Sequence, residues 1–309
     1  MDERDLDARA LEPEYVSLTN DLLFHMVFTM NERALRSLLS SLLSMPENEI
    51  KKIEILNPMQ YNESFDTKLT VLDLKLHLND NRFVLVEMQV RRFEYWTNRT
   101  LLYACRGIVE QSRGEGFRYD DLQAVIQIAI MDHTLFPDHR RFFTKYELQD
   151  DEGYRFSDKL QFYVMDLKAI DEAEEHEKEN GLVDWAEAFS AKDWKAVEKI
   201  DNPGVKEAQK TMEVIMSEPT QRQLIIDRRT ALLDRQAELD DAVKKGRTEG
   251  RAEGRAEGRA EGRAEGRAEG KKDIIYELVR DGVLSAEDGA KRLGMTTLQL
   301  SNNMAEYQA

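Results

Sequence analysis

Cysteine is almost missing from this 309-residue chain: Cys105 stands alone, which excludes an intrachain disulfide. A reducing compartment such as the cytoplasm fits that usage. Long apolar runs are missing too. The longest, VLVEMQV and AVIQIAIM, are strand-length and far too short to span a bilayer. The opening MDERDLDARALEPEY is charged and does not read as a signal peptide. Basic residues are outnumbered, 44 Lys and Arg against 60 Asp and Glu, giving a net charge of −16 and a pI near 4.9. This counts against a broad electrostatic grip on nucleic acid. It leaves room for a local basic groove, or for a site organised around a bound cation, and the acidity itself serves solubility. The expectation is a soluble cytoplasmic protein.

What is present reads as alternating helices and strands. The segment TNDLLFHMVFTMNERALRSLLSSLLSM has Leu22, Leu23, Met26 and Val27 at helical spacing, Thr19 or Asn20 as cap and Asp21 in the first turn. Asn31 starts a second helix. Strands are expected at 52–56 (KIEIL), 69–78 (LTVLDLKLHL), 83–90 (FVLVEMQV), 124–131 (AVIQIAIM) and 160–167 (LQFYVMDL), with a helix over 97–113. The apolar character of the last two strands suits a sheet covered on both faces. This order is an α/β sandwich. After Asp171 the chain turns helical and charged, with one helix over 185–200 and one or two between Val205 and about Lys245, broken near Pro219. The expected division is an N-terminal arm (1–17), an α/β domain (18–170), a helical extension (171–245), a GRAE repeat as helix or linker (246–270) and a small helical segment (271–309).

The hairpin at 69–90 carries the chemistry. Folded about Asp80, it sets Leu72 against Met88, Leu74 against Val86 and Leu76 against Val84, so every apolar residue on one face meets another. The same register sets Asp73 opposite Glu87 on the other face, with Gln89 two residues on. Two carboxylates on a largely buried face are costly unless compensated, and a divalent cation such as Mg²⁺ compensates them. The plainer alternative is a structural Asp and Glu on an exposed strand face, since an isolated D-x13-E-x-Q pattern is loose. Phe83 and Leu85 on the same face argue against exposure.

These stretches resemble the recombination-promoting nuclease and putative transposase family, a PD-(D/E)XK branch. The resemblance rests on NDLLFHMVF at 20–28, KLTVLDLKLHLNDNRFVLVEMQV at 68–90, the NRTLLY helix with Arg99 and Tyr103 four residues apart, and GEGFRYDDLQAVIQIAI. It covers about residues 15 to 240. It implies a restriction-endonuclease-like sandwich with a mostly helical C-terminal extension, and a magnesium-dependent endonuclease acting on DNA in recombination or mobile-element movement. Carried over by position, Asp73 and Glu87 are the metal ligands. Gln89 stands where the family's E-x-K lysine would be; its amide can position a water but cannot carry charge. Asp21 is a possible further acidic contributor, and equally a helix N-terminal residue favoured by the dipole. Arg99 and Tyr103 face the site, or serve helix packing and a salt bridge.

Other functional readings stay open. One is a catalytically weak binding protein that kept the fold and oligomerises through its tail. Another is a DDE-type transposase, which needs a third carboxylate; Asp132 follows a strand but lacks an acidic partner downstream. In the repeat, Arg recurs four residues from Arg and Glu four from Glu, so the usual i,i+4 ion pairs are missing. Each glycine costs a helix roughly 1 kcal/mol. Either two such helices approach along the glycine stripe, making a homo-oligomer, or the repeat is a flexible linker. Further on, AKRLGMTTLQL resembles the turn of a helix-turn-helix, but with only Lys291 and Arg292 basic nearby, helical packing or dimerisation is favoured over base reading.

Overall fold

The computed structural model describes residues 14–56, 74–79, 82–113 and 116–307. Helices α1 (Asp21–Met30) and α2 (Glu32–Leu43) come first. Asn20 caps α1, its side chain accepting from the Leu23 amide. Asn31 ends α1 and caps α2 by accepting from the Arg33 and Ala34 amides, so the two helices part where the sequence predicts. Then come β1 (Ile53–Leu56), β2 (Leu74–Leu78), β3 (Arg82–Gln89), α3 (Trp96–Gln111), β4 (Ala124–Met131), β5 (Phe143–Gln149) and β6 (Arg155–Asp166).

Among the described residues the strands form one sheet in the order β1-β2-β3-β4-β6-β5. The β3–β4 and β4–β6 pairs are parallel and the others antiparallel. In the hairpin, Leu74 pairs with Val86 and Leu76 with Val84, the register expected from the apolar pattern. Leu72 and Asp73 lie outside the described residues.

Alternation along β3 splits its side chains between two layers. Val84, Val86 and Met88 face the main core with Leu74, Leu76, Ile126 and Ile128, covered by Leu23, Phe24, Val27 and Phe28 of α1 and by α2. Phe83, Leu85, Glu87 and Gln89 point to the other face. There Ala104 of α3 packs with Leu85 and Val125, and Trp96 with Ala129, Met131 and Val164. The sheet is thus covered on both sides.

The strand β5 was not expected, and β6 begins five residues earlier than the sequence predicts. Both have one cause. The stretch FTKYELQ pairs at the sheet edge with the polar start of β6, and neither is buried enough to need an apolar run. The single helix expected over 185–200 is two, α5 after a short α4 (Glu175–Glu179): α5 is Leu182–Ser190 and α6 is Trp194–Glu198. Asp193 separates them by capping α6, accepting from the Ala196 amide at 2.8 Å.

Helix α7 (Pro203–Ser217) crosses α2 closely. A Cβ on Gly204 would sit 2.2 Å from Ser37 Cβ, so glycine is required there. Leu182, Trp185, Phe189, Val205, Met212, Ile215 and Met216 all join the main core. The compact unit that holds the sheet therefore runs to Ala231.

The second unit covers Leu232–Ala309. It takes in the later part of α8 (Pro219–Arg280), which includes the whole repeat, then α9 (Ala286–Leu293) and α10 (Thr297–Tyr307). Tyr276, Ala290 and Leu300 form its small core. Ser285 caps α9 by accepting from the Asp288 amide, and Gly294 ends it with φ of 69°. The repeat is helical, and a Cβ placed on any of Gly246, Gly250, Gly254, Gly258, Gly262, Gly266 or Gly270 would meet open space.

Candidate active site

Strand β3 delivers Glu87 and Gln89 to the layer beneath α3. Glu87 is 4% exposed and Gln89 6%. Helix α3 returns over them and brings Arg99. The Arg99 Nη2 donates to Glu87 Oε1 at 2.5 Å and to Gln89 Oε1 at 2.8 Å. The Gln89 Nε2 donates to the Arg91 carbonyl at 2.6 Å, so both ends of that amide are engaged. The Phe93 ring lies 5.0 Å beneath the Arg99 guanidinium.

The group is only partly compensated. Glu87 Oε2 and Arg99 Nε are buried without a hydrogen-bond partner. Burial pushes the Glu87 carboxyl above its ordinary pKa, and the Arg99 charge pulls against that. A buried carboxylate oxygen with no donor is costly unless a proton or a cation takes it.

Two more polar residues share this layer, and the sequence reading missed them. Thr100 lies on the face of α3 between Trp96 and Ala104, and its hydroxyl is buried without a partner. Gln127 of β4 is 1% exposed, and neither end of its amide has a partner. The available signal was the lone polar residue inside AVIQIAIM.

The remaining candidates fall as follows. Asp73 lies outside the described residues. Tyr103 packs its ring against the Leu85, Ala104 and Val125 cluster. Asp21 is not gathered with Glu87: its carboxylate accepts from Arg228 Nε at 3.0 Å and from the Leu22 amide at 2.9 Å. Asp132 pairs with Lys168 at 2.6 Å. Lys75, on the same sheet face as Glu87, turns its ammonium to Glu110 at 3.4 Å. Among the described residues, no three His, Cys, Asp or Glu side chains are grouped to hold a metal ion.

The sheet is mixed, has helices on both faces, and carries a buried Glu-x-Gln on its central strand β3. The family model for PD-(D/E)XK nuclease family transposases matches residues 18–242. The chain belongs to that family. Its α/β sandwich is accordingly a PD-(D/E)XK fold with a helical C-terminal part. The matched span includes α5, α6 and α7, in keeping with their place in the same core as the sheet. Membership makes this a nuclease- or transposase-like domain and DNA the substrate class it implies. No curated protein and no solved structure matches the chain significantly. Among the described residues, no helix is long and apolar enough to cross a membrane.

Proposed function

We propose that the chain is a divalent-metal-dependent DNA endonuclease that hydrolyses phosphodiesters, with Asp73 and Glu87 as metal ligands and Mg²⁺ as the expected ion. The observation that carries this reading is the free Oε2 of Glu87, a buried carboxylate oxygen with no donor, in a strand whose partner strand leads back to Asp73. An oxygen donor of this kind suits a hard cation. When bound, such an ion polarises a phosphodiester and lowers the pKa of water. Gln89, in the position of the family's lysine, holds the nearby positive charge of Arg99 rather than carrying one itself. DNA contact would draw on a local excess of positive charge. Residues 91–113 hold five arginines against two glutamates, and Arg92, Arg106 and Arg113 are exposed. The biological setting we propose is recombination or mobile-element movement in the cytoplasm.

Plasmid cleavage by purified protein with Mg²⁺ tests the reading. Nicking or linearisation is expected, lost with chelator and with Asp73→Ala. Cleavage unchanged by the substitution would remove the hairpin from the chemistry. The closure of Glu87 and Gln89 onto Arg99 favours a second reading, a catalytically weak DNA-binding protein that keeps the fold. It is distinguished in the same experiment by DNA binding without cleavage.

Self-association through the C-terminal helices completes the proposal. Its support is a helical repeat whose glycine positions all face open space, a helix that propensity alone leaves marginal. Light scattering should give a multiple of the monomer mass for the full chain and the monomer mass for a chain ending at Lys245. A monomer in both cases would end the idea.

A further inference from the structure

We infer that Arg99 competes with the divalent cation for Glu87, and that Gln89 keeps the displaced guanidinium beside the site. This rests on the reading of Glu87 as a metal ligand. It adds a residue on another element that sets how tightly the cation is held.

The argument starts from the geometry of the contact. A structural Arg–carboxylate pair is commonly a fork, two nitrogens on two oxygens. Here one nitrogen, Nη2, serves both Glu87 Oε1 and Gln89 Oε1. Glu87 Oε2 and Arg99 Nε are left over. The pair is thus held at one point on the carboxylate, with the remaining valences unspent on both sides.

Access to solvent is distributed unequally. The Glu87 side chain is 6% exposed and that of Arg99 25%, so the arginine has the path to solvent. If it gives up Glu87, two anchors remain: the Gln89 carbonyl oxygen and the Phe93 face. Those anchors would hold a positive charge next to the carboxylate without occupying it. Lys75, also on this face, is turned to Glu110. Among the described residues, Arg99 is the cation paired with Glu87, and so the one an incoming ion must oppose.

Charge decides the direction. The guanidinium repels a dication about twice as strongly as it would a single charge at the same place. Removing Arg99 therefore lifts that repulsion from an incoming dication and also frees Oε1. Loss of a merely structural partner would do the opposite, loosening the site and weakening metal binding.

The test is Mn²⁺ binding to the full-length protein, by calorimetry and by the Mn²⁺ electron paramagnetic resonance signal. Thermal melting of each variant checks its fold. Arg99→Met is expected to bind Mn²⁺ at least ~10-fold more tightly than the wild type. Arg99→Gln keeps a donor for Glu87 without the charge, so it provides a folded comparison if the methionine variant is unstable. It is expected to shift the same way. Glu87→Gln should abolish the tight site in either background. Equal or weaker binding in a folded Arg99 variant, with wild-type binding still dependent on Glu87, would overturn the competition and leave the metal reading standing. Wild-type binding indifferent to Glu87→Gln, or no binding in the wild type and the Arg99 variants alike, would remove the metal reading and this inference with it.

Discussion

Glu87→Gln is expected to cut DNA cleavage by about 10³-fold or more while leaving the protein folded. A bound metal supplies several kcal/mol of charge stabilisation to a phosphoryl transition state, and each factor of ten in rate is about 1.4 kcal/mol. An amide keeps the shape of the carboxylate and can still accept from Arg99, but it is a poor ligand for a hard dication. Folding should suffer little because Glu87 is itself costly: it is buried, and only one of its oxygens has a donor. Burial raises its pKa in the folded state. The favourable contribution of the proton it then binds is fully present below the ordinary glutamate pKa. It is lost as pH rises through the raised value. The metal-free wild type should therefore lose stability relative to Glu87→Gln over that window, and the gap in melting temperature should widen with pH. Parallel melting curves at every pH would show that Arg99 compensates the carboxylate fully. Cleavage at the wild-type rate would place the chemistry elsewhere.

The legibility of this molecule from sequence follows burial. The hairpin register could be read because one face of both strands is continuously apolar, and a one-residue slip would turn Leu74, Leu76, Val84 and Val86 out of the core. Strand β4 was legible for the same reason: every residue in it is buried. The edge strand β5 was not, since Lys145 and Glu147 interrupt it and only Phe143 in it is buried. At the site, Glu87 and Gln89 were found through their strand positions, and Arg99 through the family resemblance of its helix. The bond that unites them was not readable, because it depends on how far α3 returns across the sheet. Asp21 shows the converse. The family resemblance suggested it as a site contributor, yet its partner is Arg228, some two hundred residues away in sequence, which no local pattern announces. Gln127 was passed over as one polar residue in an apolar strand, and Thr100 because it sits among the polar residues of α3; only burial sets either apart.

The helices after residue 170 carry the other large expected effect. Trp185→Ala is expected to cost ~3–5 kcal/mol, the range for deleting a large buried aromatic side chain. It should lower the urea midpoint of the unit ending at Ala231 without a change in slope. Trp185 is fully buried and packs its ring 5.6 Å from Phe28 of α1 and 6.0 Å from Phe189. It also walls the tight crossing at Gly204, where its Cζ2 would lie 3.1 Å from an added Cβ. Removing it opens a cavity bordered by three helices that cannot all collapse inward, since Gly204 and Ser37 already touch. Trp185→Phe should be far milder. It keeps much of the aromatic volume and removes Nε1, a buried donor with no partner, whose loss offsets part of the packing deficit. A chain ending at 170 should fail to fold at all, because it would expose the side of α1 and α2 that Trp185, Phe189, Val205, Met212 and Ile215 now cover. A cooperative melt from that fragment, or an alanine variant as stable as the wild type, would mean that the sheet and its first two helices form a sufficient core alone. The helical extension would then be an appendage and not part of the nuclease fold.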